Sequence, residues 1–307
     1  MSYMKKWGDK GTETLEAYTN DLTRSGYAWD KGTSILPKET WDTVEQYLEY
    51  LRHLAEYVFA EEFVGHKSVL EIGCGTGFGA SHLSKIASSI TAIDIWQAGI
   101  SLCQTQYRRD GNLNFIAADA VKLPFKSDRF DAVTSIHVIE HINPKMVLTY
   151  LSEIKRVLKR GGVFVVSTPN SRIRLLPFQK PCNPAHQKEY KDHELKKLLG
   201  AVFEGVKVFG LCASDEIQDL ERHRLKQTPF KAYVVRPVNR IFIRHLPSPV
   251  LTRLKKIRKR FSGRRTGAES MPQETFTARF TVNDFRVDPR CPKDCRDLYG
   301  ICTKVID

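Results

Sequence analysis

The chain has 307 residues, of which 41% are hydrophobic and 27% charged, and its formal net charge at pH 7 is +13. These fractions are typical of a globular protein, and no apolar run approaches the roughly 20 residues that a membrane-spanning helix needs. The seven cysteines are irregularly spaced and the first residues lack the apolar core of a signal peptide. We therefore expect a cytoplasmic protein without a disulfide framework.

In chain order, residues 41–63 space their apolar side chains as an amphipathic helix does. Strand-length apolar runs follow, most of them separated by helical stretches: SVLEIG, SITAID, NLNFIAAD, FDAVTSI and GVFVVST. This alternation predicts βαβ units and a parallel sheet that is covered on both faces. A short helix (DHELKKLLG) and two further strands (VKVFGLCAS and DLYGICTKVI) come next. We interpret these two strands as the last pair of the sheet.

These patterns divide the chain into three parts. Residues 1–63 form an N-terminal helical lid or cap, residues 64–213 and 291–307 form the sheet domain, and residues 214–290 form an insertion between the last two strands. The insertion carries the positive charge, because residues 222–268 hold 15 Lys and Arg and no Asp or Glu. Such a segment is typical of binding to an anionic partner, and a solvated surface is the alternative.

A glycine-rich turn, VLEIGCGTG at residues 69–77, follows the first strand. Glycine lets the backbone turn tightly and approach a ligand with which a Cβ atom would clash. Asp94 ends the second strand, where a carboxylate can accept hydrogen bonds from both hydroxyls of a ribose. Asp119 ends the third strand, where a carboxylate can accept them from an adenine amino group. This order indicates a cofactor that contains a nucleoside.

Six segments resemble, in order and spacing, the motifs of class I methyltransferases: VLEIGCGTG, AIDIW, AADAVKLPF, FDAVTSIHVIEHI, EIKRVLKRGG and FVVSTPN. The resemblance covers about residues 50–213 and is closest to the branch of ubiquinone-pathway O-methyltransferases and methyltransferases of polysaccharide and glycolipid gene clusters. It implies a doubly wound α/β fold with a mostly parallel, seven-stranded sheet, an antiparallel last strand, and S-adenosyl-L-methionine as cofactor. A dehydrogenase would show GxGxxG at this turn, and GCGTGFG does not keep that spacing.

The resemblance also implies roles for individual residues. The implied cofactor-binding residues are Glu71, Gly73, Cys74, Gly75 and Gly77 around the methionine part, Asp94 at the ribose, Ile95, Asp119 and Ala120 at the adenine, and His137 beside the transferred methyl group. Trp96 either flanks the adenine ring or belongs to the core. His53 and Tyr57 lie one turn apart on the first helix, where they either close the cofactor pocket or pack in the core.

His137, Glu140 and His141 follow the fourth strand at spacings that would share one face of a helix. A near-neutral imidazole can take a proton from a substrate hydroxyl, so His137 is a candidate catalytic base. Alternatively, His137 only shapes the pocket, and positioning of the reactants supplies the acceleration. Glu140 and His141 brace the loop below the cofactor or, with His137 and His186, bind a hard metal ion. Small-RNA 3′-end 2′-O-methyltransferases use a related Glu-x-x-Glu-His arrangement, but His137 replaces the first glutamate, and we predict no metal.

The segment after the fifth strand contains Asn183-Pro-Ala-His186 and then Tyr190. It resembles the NP-x-H…Y segment of the glycan-cluster branch, in which this loop covers the acceptor. We therefore expect His186 and Tyr190 to be catalytic-site residues that contact the acceptor. Capping of the following helix is the alternative for His186.

Residues 248–261 (SPVLTRLKKIRKRF) place apolar side chains on one stripe of a helix and basic side chains around the rest. This is the pattern of a basic amphipathic helix that lies in a membrane interface. We favour an anionic membrane surface over nucleic acid as the partner, because no RNA-recognition motif or aromatic stacking platform accompanies the helix. Packing of the helix on the sheet edge is the other alternative.

The leading hypothesis is O-methylation of a hydroxyl on a sugar, a lipid-linked glycan or a prenylated small molecule at a membrane surface. The first alternative is an RNA methyltransferase that uses the basic insertion to bind phosphates. The second is an accessory protein that binds the cofactor without turnover. The sequence indicates neither the acceptor atom nor an oligomeric state.

Overall fold

The computed structural model describes residues 43–175, 181, 183, 185–220, 273–290 and 295–305. Its helices are α1 (Val44–Val64), α2 (Phe78–Ser84), α3 (Gln97–Gln106), α4 (Val147–Val157), α5 (Ser171–Arg174), α6 (Asp192–Gly200) and α7 (Gln273–Arg279). Its strands are β1 (Ser68–Ile72), β2 (Ser89–Asp94), β3 (Leu113–Ala117), β4 (Phe130–Ile136), β5 (Leu158–Pro169), β6 (Gly205–Ala213), β7 (Phe285–Asp288) and β8 (Asp297–Thr303). Two 3₁₀ turns cover Ile139–His141 and Val282–Asp284.

The strands form one sheet in the order β3-β2-β1-β4-β5-β8-β6-β7. Strands β1 to β5 pair in parallel, and β8 pairs antiparallel with both β5 and β6. This arrangement confirms the predicted doubly wound, mostly parallel α/β fold with an antiparallel last strand. In such a sheet, ligands bind outside the carboxyl ends of the parallel strands.

The sheet has eight strands rather than the predicted seven. The additional strand β7 pairs antiparallel with β6 at the sheet edge, and it lies inside the segment 214–290 that we interpreted as an insertion. Helix α7, from the same segment, buries Phe276 and Phe280 against Leu48 and Leu51 of α1. The sequence pattern missed β7 because the strand is only four residues long, although its alternation of apolar and charged side chains is that of a half-buried strand. The insertion therefore contributes both a strand and a helix to the packed core.

The parallel strands are apolar on both faces because helices cover both sides. Neighbouring residues alternate between two core clusters: Val69 and Val165 pack with α1, α2 and α3, whereas Leu70 and Val166 pack with α4 and α6. This alternation follows from the two-residue period of a strand. The near-continuous Val and Ile content of these runs is therefore the signature of a sheet buried on both faces.

Helix α1 begins beside Thr43, whose side chain accepts a hydrogen bond from the backbone N–H of Gln46, as an N-cap residue does. Its buried face also contains charged side chains, among them Arg52 and Glu56. These residues lie next to the carboxyl ends of the strands.

Two predicted features lie outside the described residues. They are the first 42 residues of the predicted lid and the basic helix at 248–261. Among the residues that the structure does describe, none of the helices combines the length and hydropathy needed to cross a bilayer.

Candidate active site

The glycine-rich turn after β1 holds three glycines at positive φ: 74° at Gly73, 53° at Gly75 and 78° at Gly77. A Cβ atom at Gly73 would lie 2.3 Å from a methyl group of Val138, whereas a Cβ at Gly75 would meet no atom within 4 Å. The turn therefore packs tightly against the segment after β4 and leaves space only above Gly75. Cys74 is 5% exposed with its side chain in the core, so only its backbone is available to a ligand.

Glu71 is a buried carboxylate at the end of β1, with only 1% of its surface exposed. Its Oε1 accepts a hydrogen bond of 2.9 Å from the Tyr57 hydroxyl, and its Oε2 has no hydrogen-bond partner among the described residues. Burial raises the pKa of Glu71 to about 7. A buried polar atom without a partner is costly, and the amino group of a bound methionine moiety would satisfy it.

Asp94 ends β2 beside the glycine turn. Its two oxygens accept hydrogen bonds from the backbone N–H groups of Gly75 and Trp96, each at 2.9 Å, and burial raises its pKa. Each carboxylate oxygen keeps a further lone pair for the hydroxyl of a ribose. The next residue, Ile95, is 56% exposed. The Trp96 ring packs on Gly99, where an added Cβ would lie 2.0 Å from it.

Asp119 and Ala120 are half-buried just after β3. The Asp119 carboxylate accepts a 3.0 Å hydrogen bond from the backbone N–H of Val121, which fixes its orientation. Since β3, β2 and β1 are neighbours in the sheet, Asp119, Asp94 and Glu71 form a row of acidic groups along one edge. This row and the open space above Gly75 fit the adenosyl and methionine parts of S-adenosyl-L-methionine.

His137 follows β4 and adopts φ 55°, a left-handed conformation that costs energy for a residue with a side chain. Its Nε2 lies 2.8 Å from Glu56 Oε1, and its Nδ1 lies 3.2 Å from Glu140 Oε1. Burial lowers its pKa, but the two carboxylates outweigh burial and raise the pKa to about 10. The ring is therefore a charged double donor at neutral pH, the opposite of what a free general base requires.

Arg52 connects α1 to the start of β8. Its Nη1 donates a 2.7 Å hydrogen bond to Asp297 Oδ2 and lies 3.0 Å from His137 Nε2. Sequence reasoning missed Arg52, Glu56 and Asp297. The burial of Arg52 and Glu56 could have been predicted, because their spacing from Leu48 places them on the apolar face of the helix.

The two α1 residues named from the sequence take different positions. The hydroxyl of Tyr57 is bonded to Glu71, so this tyrosine borders the cofactor site. His53 is buried and its Nδ1 lies 2.8 Å from the carbonyl oxygen of Glu49. Burial lowers the pKa of His53 to about 3, so this ring is neutral and belongs to the packing of the helix.

Glu140, His141 and His186 lie together beyond His137. Glu140 Oε2 accepts a 3.0 Å hydrogen bond from the Thr168 hydroxyl, and the centroids of the two histidine rings are 4.8 Å apart. The side chain of His186 is 6% exposed, so it faces this cluster rather than solvent.

Tyr190 is 2% exposed and packs in the hydrophobic core, and its backbone forms a bridge to Asn170. Its hydroxyl is buried and has no hydrogen-bond partner among the described residues. Contact of Tyr190 with an acceptor therefore stays a prediction. The sequence segment around Tyr190 gave no periodic pattern from which its burial could be predicted.

Comparisons with known proteins agree with this geometry. Residues 70–166 match the family described as "Methyltransferase domain". The Mycobacterium tuberculosis protein named "Probable S-adenosylmethionine-dependent methyltransferase" is 32% identical over 177 residues, which are 57% of this chain and 62% of that protein. A phthiotriol/phenolphthiotriol dimycocerosates methyltransferase of the same species is 36% identical over 141 residues, 45% of this chain and 51% of the relative. The matches thus span between half and two thirds of each of these relatives.

Among solved structures, this chain is similar to a chain in the complex between the Haloferax volcanii Trm112 methyltransferase activator and a methyltransferase. The alignment covers 83% of this chain and 91% of that chain, with a TM-score of 0.50 and 14% identity. This likeness shows the fold alone. Together with the family match, it confirms the predicted fold class and cofactor. Residues 70–166 therefore match a methyltransferase domain, and S-adenosyl-L-methionine is the methyl donor that this match and the names of the relatives indicate.

Proposed function

We propose that this chain methylates a hydroxyl group on a lipid-linked sugar or a hydrophobic small molecule such as a prenylated compound. The observation that carries the methyl-transfer part is the row of acidic groups formed by buried Glu71 and half-buried Asp94 and Asp119 beside the glycine turn. The acceptor class is supported by the relatives whose names denote phthiotriol and phenolphthiotriol dimycocerosates, because a triol offers hydroxyl groups.

The residues of the chain bind and orient the cofactor. Glu71 Oε2 binds the amino group of its methionine part, Asp94 binds the ribose hydroxyls, and Asp119 with the Ala120 backbone binds the adenine. When bound, S-adenosyl-L-methionine supplies a methyl group on a positively charged sulfur. Holding the acceptor oxygen in line with that methyl group supplies most of the acceleration in such a displacement.

The charge around His137 suits a positively charged ligand. The next residue, Val138, packs on Gly73, so His137 is one residue away from a contact with the glycine turn. The buried cluster there has three carboxylates and two cations: Glu56, Glu140 and Asp297 with Arg52 and His137. The excess negative charge favours a sulfonium in a buried environment of low dielectric. In this proposal His137 positions the carboxylates, and the proton of the acceptor hydroxyl passes to water rather than to His137 as the oxygen becomes methylated.

The test is methyl transfer from radiolabelled cofactor to an extract separated into lipid, polysaccharide, RNA and small-molecule fractions. We expect label in the lipid or glycan fraction or in a hydrophobic small molecule. Label in RNA instead would refute the acceptor class. Absence of label from all fractions, with cofactor binding intact, would refute the activity itself and favour an accessory role.

The variant Asp94→Asn tests the proposed ribose site. It is expected to weaken cofactor binding in calorimetry by about 10- to 100-fold, because hydrogen bonds to a charged group contribute about 1.5–3 kcal/mol. The control is Asp110→Asn, since Asp110 lies before β3, at the opposite edge of the sheet. Equal binding by both variants would contradict the assignment of the ribose site.

A further inference from the structure

We propose that Glu140, His141 and His186 form a binding site for a divalent transition-metal ion. One ligand atom from each of these side chains lies within 4.8 Å of the other two. Two imidazole nitrogens and one carboxylate oxygen are a ligand set that suits Zn²⁺, Fe²⁺ or Co²⁺, whereas Mg²⁺ and Ca²⁺ prefer oxygen ligands. This proposal replaces our sequence-based expectation of no metal.

The ring of His186 is already oriented as that of a metal-binding histidine is. Its Nδ1 lies 2.7 Å from Glu189 Oε1, and the His141 ring lies beside the backbone of Ala185. In metal sites the ligating histidine almost always donates its other N–H to a carboxylate or a carbonyl oxygen, which fixes the ring and its tautomer. The His186 ring therefore keeps one nitrogen for an ion.

Backbone hydrogen bonds hold the two halves of the cluster together. The carbonyl oxygen of Glu140 accepts hydrogen bonds from the N–H groups of Gln187 and Lys188, at 2.7 and 3.2 Å. The N–H of Ser171 donates to the carbonyl oxygen of Tyr190 at 3.0 Å. The segment that carries His186 is thus fastened to the turn that carries Glu140 without any contribution from the proposed ligands. Preorganisation of this kind is what a ligand set needs to bind an ion tightly.

In a second group, His53, Glu56 and His137, one ligand atom from each side chain also lies within 4.8 Å of the other two, but a guanidinium already lies beside these atoms. The Nη1 atom of Arg52 lies 3.0 Å from His137 Nε2, and the bond to Asp297 holds it there. A permanent positive charge at this distance repels a divalent ion. In the first group His137 Nδ1 lies 3.2 Å from Glu140 Oε1, and Arg174 pairs with Glu189 Oε2, 3.5 Å away.

Three protein ligands are the number found in zinc sites that keep a position open for another molecule. The site shares Glu140 with His137, which contacts the carboxylate at 3.2 Å, so the ion would lie one side chain away from the cofactor turn. In this proposal the open position is available to the oxygen of the acceptor. Only this last step depends on the proposed function.

The test is metal binding by the full-length, tag-free chain after removal of metals with a chelator. We expect one Zn²⁺ per chain in equilibrium dialysis, and Co²⁺ should give visible absorption bands that report nitrogen and oxygen ligands. His186→Gln should weaken Zn²⁺ binding by more than about 100-fold, since it removes a direct ligand. Glu189→Gln, which only loosens the orientation of the His186 ring, should weaken it by about 10- to 100-fold.

The matched control is His82→Gln. His82 also pairs with a glutamate, Glu61, but it belongs to neither of the two groups of possible metal ligands among the described residues. This variant should bind Zn²⁺ as the unmodified chain does. Equal Zn²⁺ binding by the unmodified chain and His186→Gln, with circular dichroism showing both folded, would overturn the proposal. Asp94→Asn separates the two proposals, since it should impair cofactor binding and leave Zn²⁺ binding unchanged.

Discussion

Replacing Glu71 with glutamine tests whether the buried carboxylate is reserved for the cofactor. Glutamine has nearly the same shape, and its Oε1 can still accept the hydrogen bond from the Tyr57 hydroxyl, which is 2.9 Å long in the structure. The substitution therefore removes the charge while keeping the packing and the hydrogen bond. Any difference between the two proteins that depends on pH then reports the ionisation of Glu71.

The magnitude follows from the pKa of Glu71, which burial raises from its ordinary value of 4.5 to about 7. Between these values the unfolded chain has lost a proton that the folded protein retains, so the free energy of unfolding falls as pH rises. The contribution of Glu71 to the free energy of unfolding is greatest below pH 4.5, and its loss is complete above about pH 7. A shift of this size corresponds to about 3 kcal/mol. Cofactor-free Glu71→Gln should therefore match the unmodified protein at pH 4.5 and exceed it by about 3 kcal/mol at pH 8.

The assay is urea denaturation of the cofactor-free proteins across this pH range, with Glu62→Gln as the control at an exposed glutamate of the same neighbourhood. Adding S-adenosyl-L-methionine should stabilise the unmodified protein and have little effect on Glu71→Gln. In calorimetry at pH 6, buffers of different ionisation enthalpy should show a proton released on binding. A stability difference that does not change with pH would refute the reasoning.

Three further substitutions test the site at other points. His137→Asn tolerates the positive φ but leaves Glu56 and Glu140 without their cation, and it should lower the free energy of unfolding by about 3–5 kcal/mol. The same change at exposed His66, which has φ 58°, should alter that energy by less than about 0.5 kcal/mol. Arg52→Met should lower the free energy of unfolding by about 3–5 kcal/mol. In a double-mutant cycle followed by urea denaturation, adding Asp297→Asn to this variant should recover at least about 1 kcal/mol of the loss. Strictly additive effects of the two substitutions would argue against the ion pair. Gly75→Ala should lower the free energy of unfolding by about 1–2 kcal/mol because Gly75 has a positive φ. It should also weaken cofactor binding at least about tenfold in calorimetry. The control is Gly111→Ala, whose Cβ would also meet no atom within 4 Å and which should leave binding unchanged.

The sequence predicted the features that local patterns determine. The apolar strands, the glycine turn and the acidic residues at the strand ends are each encoded within a few neighbouring positions. Because parallel strands end at the same edge, placing Glu71, Asp94 and Asp119 on consecutive strands was sufficient to place them in one row. The structure adds the partners of these residues, such as the Tyr57 hydroxyl on Glu71.

The sequence could not predict the partners that only the tertiary fold brings together. Arg52 and Asp297 are 245 positions apart and meet because α1 passes the end of the sheet at which β8 begins. The protonation state of His137 depends on Glu56 of α1, so it could not be deduced from the motif around His137 alone. An isolated short strand such as β7 was hidden for the same reason, since its pairing with β6 is what defines it.

The buried ions beneath α1 are better explained by function than by stability. Replacing a buried ion pair with apolar residues of similar volume is often neutral or stabilising, so packing alone does not require Arg52 and Glu56. These residues attach α1 to Asp297 and His137, while Tyr57 of the same helix contacts the carboxylate proposed to bind the cofactor. One helix thereby connects the proposed cofactor site to the ionic cluster around His137. An apolar helix would fill the same space, but it would supply neither the negative charge that favours a sulfonium nor this connection.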